Sequence, residues 1–371
     1  MVCKHFGECG SCGLFDIAYS QQLTEKKGRV ESLLSDFYPQ ELVVFDSPSS
    51  HYRARGEFRI WHNGDVCDYA MGSITKKGAI NITECPKVIE SIESRMWKLL
   101  EIINSSVDVL KNRLFSVEFL ATTTDEVIIT LLYHRKLDDI WIIEAKLIEE
   151  KLNCKIIGRS RKQKVVLSDD FVIEKLYIDK EEFIYKQHDG GFTQPNPSVN
   201  VKMIDWARSQ AKKVGYGDFL ESYCGLGNFT IPLSRYFDKV LATEVSKRSI
   251  QSASENSTLN NRENISFIRL SSKEMSEALH KKREFKRLKD IDLDSYNFST
   301  VLVDPPRAGL DSDTIALIST IEHIIYISCN PETLARDLEQ LTQTHEVVDG
   351  AIFDQFPHTT HIEAGLFLRL K

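Results

Sequence analysis

The sequence predicts an α/β protein in two parts: an α+β domain in the middle of the chain and, behind it, a Rossmann-like, doubly wound parallel sheet. Three observations carry this. From Phe192 onward, short β-branched runs alternate with helical stretches, the pattern of a parallel sheet with helices on both faces. Between Val43 and Tyr185 the strand-like runs come in groups with helical stretches to the side, as in α+β domains. At 371 residues the chain exceeds one typical core. We therefore divide it into 1–42, a cysteine-rich loop and helix, 43–190, the α+β domain, and 191–371, the parallel sheet.

Composition narrows the function classes. The chain is 42% hydrophobic and 27% charged, as in ordinary globular proteins. Its net charge of −7 argues against capture of nucleic acid by bulk charge, so any such surface has to be local. No apolar run approaches the roughly 18 residues that span a bilayer, and residues 1–6 have no signal-peptide character. The expected location is the cytoplasm, with no membrane and no obligate protein partner evident. In a reducing compartment the eight cysteines read as thiols or metal ligands.

In chain order, Cys3, Cys9 and Cys12 crowd the first dozen residues, with Gly7, Gly10 and Gly13 among them. Such glycines let a short loop fold its thiols around one centre. Cys85, held at a rigid turn by Pro86, is the best fourth ligand, whereas Cys67 and Cys154 lie in β-like segments. An iron-sulfur cluster is favoured over structural zinc, which gathers paired Cys-x2-Cys knuckles where this chain has one, and over no metal. A helix is expected over 14–37, strands over 56–61, 114–120, 127–133 and 164–167, and helices over 89–103 and 136–152. Basic residues gather at Arg53, Arg55 and Arg59, at Lys155, Arg159, Arg161, Lys162 and Lys164, and over 280–289. Each group is a solvated face or a phosphate-tracking groove.

The parallel-sheet half carries the chemistry. A helix over 198–213 leads to a strand that runs into Tyr223-Cys224-Gly225-Leu226-Gly227-Asn228, a Gly-x-Gly loop opening a helix. Position 230 is Thr where a dinucleotide fold places a third Gly or Ala, which argues against a pyrophosphate. The next strand ends in Glu244, a carboxylate suited to ribose hydroxyls, so the pair predicts an adenosine ligand without pyrophosphate. Another buried strand closes on Asp304-Pro305-Pro306-Arg307, the pattern of adenosylmethionine-dependent enzymes that act on nucleobases or nitrogen atoms. The run 324–327 is broken by Ser328-Cys329-Asn330-Pro331, which sets Cys329 on the sheet rim where such folds bind ligands. A lone cysteine is otherwise more often structural. Glu363 stands just before the last apolar strand, where an acid can be buried.

Together these residues carry a resemblance. Phe192-Thr193-Gln194-Pro195-Asn196, the Gly-x-Gly loop, Asp304 to Arg307, Ser328 to Pro331 and His361-Ile362-Glu363 are similar to the motifs of the RNA uracil carbon-5 methyltransferases. Ser50-His51-Tyr52-Arg53, residues 57–62, 131–139 and 283–287 resemble the tRNA branch in particular, and the similarity covers nearly the whole chain from about Pro48.

The resemblance implies a class I methyltransferase domain over 191–371 and an RNA-binding domain over 43–190. It implies S-adenosylmethionine as methyl donor and 5-methyluridine at position 54 in the tRNA T loop as product. Formation of 5-methyluridine in 23S rRNA is the alternative, and a non-catalytic RNA-folding module a distant one. By the same resemblance Cys329 is the nucleophile toward uracil carbon 6 and Glu363 the base for the carbon-5 proton. Gln194, Tyr223, Asn228, Glu244 and Asp304 would hold S-adenosylmethionine, and Arg59, Phe115, His134, Phe192 and Arg307 would meet the T-arm. The chain departs from the best-known tRNA enzymes of this type, which lack the cysteines. Relatives that modify rRNA carry a 4Fe-4S cluster on cysteines spaced much like Cys3, Cys9, Cys12 and Cys85.

Overall fold

The computed structural model describes residues 1–106 and 108–371. A loop and the helix Tyr19–Leu34 come first, then strand β1 (Val43–Phe45). Next are β2 (Arg55–Asn63), β3 (Val66–Gly72), β4 (Ala79–Asn81), β5 (Leu114–Ala121), β6 (Val127–Tyr133), β7 (Lys155–Ser160) and β8 (Gln163–Val166). They form a seven-stranded sheet in the order β4-β3-β2-β5-β6-β7-β8, antiparallel except for β6 against β7. The helices Glu90–Ser105 and Asp139–Leu152 bury one face of it, packing Ile92, Met96, Leu99 and Trp141 on Phe58, Tyr69 and Val117. Local chemistry delimits the second helix. The Asp138 side chain caps the Trp141 amide, and Asn153 turns left-handed at the other end.

A hairpin, β9 (Phe171–Ile178) with β10 (Glu181–His188), leads to the second sheet. Its strands are β11 (Asp218–Ser222), β12 (Val240–Thr243), β13 (Ile265–Ile268), β14 (Phe298–Val303), β15 (His323–Ser328), β16 (His345–Phe353) and β17 (Glu363–Leu370), joined by β1. The order is β1-β16-β17-β15-β14-β11-β12-β13, with β17 antiparallel to β15 and β16 and the other pairs parallel. Both faces are covered, so its strands read as continuous apolar runs. Val199, Met203 and Ala207 of the helix Pro197–Val214 pack on Phe219, Leu302 and Ile325. On the opposite face Leu334 and Leu338 join Val30 and Leu34 of the first helix.

The structure corrects several expectations. Residues 43–45, assigned to the central domain, are the edge strand of the large sheet, parallel to β16. The first helix begins at Tyr19 rather than at residue 14. Tertiary bonds take the intervening residues: the Leu14 amide donates to the His358 carbonyl, and Gln22 Nε2 donates to the carbonyls of Leu14 and Ile17. Cys154 lies just ahead of β7 rather than within a strand. No helix among the described residues is long and apolar enough to cross a membrane.

Candidate active site

Strand order builds the site. Tyr223 follows β11, Asp304 follows β14, Cys329 follows β15, and Glu363 opens β17. These four strands are neighbours, and their registers align the ends: Ser222 pairs with Val303, Val303 with Tyr326, and Ser328 with Ala364. Because β17 runs antiparallel, its first residue lies where its neighbours end. A thiol and two carboxyls separated by up to 59 positions therefore share one rim.

That rim is poor in positive charge. Burial pushes the Glu363 carboxyl up to about 8, helped by Asp304 and opposed by Arg307. Asp304 is raised to about 7 by desolvation. Burial raises the Cys329 thiol to about 11; Glu363 and Asp304 add to this and Arg307 pulls it down. Asn330 anchors Arg307 by donating Nδ2 to its carbonyl at 3.0 Å. The Arg307 guanidinium reaches His361 Nδ1 at 3.4 Å.

A cavity opens beside this rim, at the seam between the β9–β10 hairpin and the large sheet. Gln194, Tyr223, Asn228 and Asp304, four of the expected cofactor residues, line it, as does Phe192, which is 65% exposed. Glu244 stands behind the glycine loop, accepting from the amides of Gly225 at 3.3 Å and Ser246 at 2.8 Å. Asn228 exchanges side-chain hydrogen bonds with Asn200, 2.9 Å each way. Gly227 has φ +88, and a Cβ there would meet Ile231 at 3.0 Å, so the loop needs glycine.

Sequence reasoning missed two carboxylates in the cavity wall, Glu221 and Glu174. Glu221 lies in β11, raised to about 8 by burial. The available signal was an acid inside an apolar strand just before the glycines. Glu174 accepts from the Thr123 amide and hydroxyl, a contact 51 residues away with no local signature.

The segment 354–361, which delivers Glu363, is clamped from the amino-terminal side. Lys26 and Asp354 form a buried ion pair at 2.7 Å, and Lys26 also donates to the Phe356 carbonyl. Gln22 Oε1 accepts from the His358 amide, and the Tyr52 hydroxyl donates to the Pro357 carbonyl. His358 takes a left-handed φ of 62° with its ring between Gln22 and the Ser49 carbonyl.

The cysteine loop is laced to the small sheet. Gly10 N donates to Gly72 O, Ile74 N to Glu8 O, and Lys87 Nζ to Ser11 O. A Cβ on Gly10 would stand 3.2 Å from the Gly72 carbonyl oxygen. Cys3, Cys9, Cys12 and Cys85 all line one cavity of about 290 Å³. Among the described residues no three His, Cys, Asp or Glu side chains are grouped so as to hold a metal ion.

The expected RNA residues fall in two places. Phe192 and Arg307 adjoin the cavity and rim. Arg59, Phe115 and His134 lie on the small sheet, where a bulge in β5 turns Phe115 outward and the His134 ring stacks on it with centroids 4.5 Å apart.

The large sheet, with its last strand inserted antiparallel beside β15 and its ligand cavity over the glycine loop, is that of an S-adenosylmethionine-dependent class I methyltransferase. The family model for tRNA (uracil-5-)-methyltransferase matches residues 18–371. A tRNA/tmRNA (uracil-C(5))-methyltransferase of a Sulfurovum species is 70% identical over 371 residues, the full length of both chains. One from a Nitratiruptor species is 50% identical, covering 99% of each chain. The crystal structure of the Pyrococcus abyssi tRNA (uracil-54, C5)-methyltransferase in complex with S-adenosyl-L-homocysteine has the same fold, with a TM-score of 0.73 at 23% identity over 97% of this chain and 86% of that one. The chain belongs to the tRNA (uracil-5-)-methyltransferase family. The matched region starts after the first three cysteines.

Proposed function

We propose that this chain methylates carbon 5 of uridine 54 in the T loop of tRNA through a covalent adduct on Cys329. The observation that carries the reading is the alignment of Asp304, Cys329 and Glu363 at the ends of adjacent strands. Uracil carbon 5 is too weak a nucleophile to take a methyl group unaided. Addition of the Cys329 thiolate to carbon 6 converts the ring to an enolate, and carbon 5 then attacks the methyl of S-adenosylmethionine, leaving S-adenosylhomocysteine. Glu363, in the ionised form that its burial makes the minor one at neutral pH, removes the carbon-5 proton, and the returning electron pair expels the Cys329 thiolate and restores the double bond. A thiol raised to about 11 is protonated at rest. Arg307 favours its ionisation, as would the positive charge of a bound sulfonium.

Gln194, Tyr223, Asn228 and Asp304 are the residues we assign to the cofactor, with Glu244 on the ribose side through the glycine loop. A test of the RNA substrate is direct. Purified enzyme should form 5-methyluridine in an unmodified T-arm stem-loop and act far more poorly on 23S rRNA fragments. The reverse preference would assign it to rRNA.

We also assign a 4Fe-4S cluster to Cys3, Cys9, Cys12 and Cys85. The reading rests on four thiols lining one cavity and on the single Cys-x2-Cys pair, where zinc usually takes two. A cluster there would supply a crosslink between the amino-terminal loop and the small sheet. Anaerobically purified protein should be brown with about four irons per chain, and Cys85→Ser should lose them. Iron-free anaerobic protein would reject the assignment.

A further inference from the structure

We propose that a groove between the β6-to-helix connection and the β7–β8 turn is a track for the sugar-phosphate backbone of the RNA. The inference rests on the tRNA reading and extends it to where the RNA backbone is held. In sequence Lys155, Arg159, Arg161, Lys162 and Lys164 form one basic run, and the fold divides them. Lys155 pairs with Glu126 at 3.1 Å and Asp169 at 3.5 Å. Arg159 pairs with Asp189 at 2.5 Å and Glu118 at 3.7 Å, and Lys164 with Asp170 at 2.7 Å and Asp189 at 3.2 Å. Arg161 and Lys162, at the tip of the turn, are exposed and have no side-chain partner among the described residues.

Facing them are His134, Arg135 and Lys136, and the two walls enclose a groove of about 440 Å³ with no acid in its lining. The Lys136 ammonium is also exposed and unpartnered among the described residues. Gln163 fixes the walls to each other. Its Oε1 accepts from the Leu137 amide and its Nε2 donates to the Leu137 carbonyl, both at 2.9 Å. Arg135 is tied to its own wall, donating Nε to the Asn112 carbonyl at 3.0 Å and pairing with Asp138 at 3.7 Å, which leaves Lys136, Arg161 and Lys162 as the groove's free cations among the described residues.

A braced groove with no acid in its lining and with Lys136, Arg161 and Lys162 unpartnered among the described residues, on a chain of net charge −7, suits an anionic occupant. The neighbouring aromatic pair says which kind. His134, one lip of the groove, stacks on the outward-turned Phe115. Cations for phosphates beside a π-surface for a base match RNA better than an acidic peptide. The same strand leads to the active site, because Arg159 of β7 holds Asp189 at the head of the segment carrying Phe192 and Gln194.

The test is binding of a T-arm stem-loop, followed by fluorescence anisotropy across a salt series. Arg161→Ala with Lys162→Ala should lower the slope of log Kd against log salt by about 2 and weaken low-salt binding roughly tenfold. Lys136→Ala should lower the slope by about 1, and Arg161→Lys should keep it. Thermal melting of the double variant should match wild type, since neither side chain is packed. A wild-type slope in the double variant would overturn the proposal, as would a loss equal at every salt concentration. Failure of wild-type enzyme to methylate the T-arm would instead remove the substrate reading, and the activity assay shows that separately.

Discussion

Glu363 shows how burial sets chemistry at the scale of one residue. Its carboxyl ionises near 4.5 in an unfolded chain and near 8 in the fold. The folded state therefore holds a proton that the unfolded state has lost, and the group's contribution to stability declines as pH rises from 4.5 to 8. Glu363→Gln removes that cost. Urea titrations should find the variant and wild type alike near pH 4.5 and the variant more stable by about 4 kcal/mol at pH 8, with product release stalled after methyl transfer. A constant difference across that range would reject the buried, proton-holding carboxyl. Asp304, Cys329 and Glu363 were legible in the sequence because turn residues or a strand start mark each against an apolar run. Glu221 was passed over because one acid inside a strand resembles an ordinary lapse in pattern, and Glu174 because its partner is Thr123, 51 residues away.

Among the elements, the segment 354–361 bears on the chemistry because it leads into the strand that opens on the proposed base, Glu363. Its buried Lys26–Asp354 pair has side chains 3% and 0% exposed. Removing one partner of such a pair strands the other charge and costs about 3–5 kcal/mol. Lys26→Met should lose about 3 kcal/mol in denaturant titrations and slow release of the RNA adduct. Adding Asp354→Asn should recover part of that stability, because no unpaired charge then remains. A double variant as unstable as the sum of its single substitutions would mean that the pair is not coupled. This clamp joins positions 328 residues apart, beyond any local pattern. β1 was placed in the central domain for a related reason: three apolar residues do not say which sheet they join, and β16 decides it. By contrast β5, β6 and β15 carry long β-branched or apolar runs between turn residues, and their expected bounds fall within one or two residues of those observed.

For the molecule as a whole, the β9–β10 hairpin and the large sheet meet at one seam beside the reactive rim. The small sheet carries Phe115, His134 and the basic groove, the large sheet carries the reactive rim, and the hairpin β9–β10 closes the cavity beside that rim. The two-part architecture was legible because strand grouping and strand-helix alternation are local signals. The seam was not, since each wall is drawn from distant residues. The central claim is that Cys329 at this seam bonds to uracil carbon 6. Its most direct measurement is mass spectrometry of enzyme incubated with S-adenosylmethionine and a T-arm stem-loop carrying 5-fluorouridine at position 54, where fluorine blocks proton removal. The account predicts a stable protein–RNA adduct of one methylated fluorouridine on the peptide containing Cys329, absent in Cys329→Ala. An adduct on another residue, or a Cys329→Ala enzyme that still methylates the unmodified stem-loop, would contradict it.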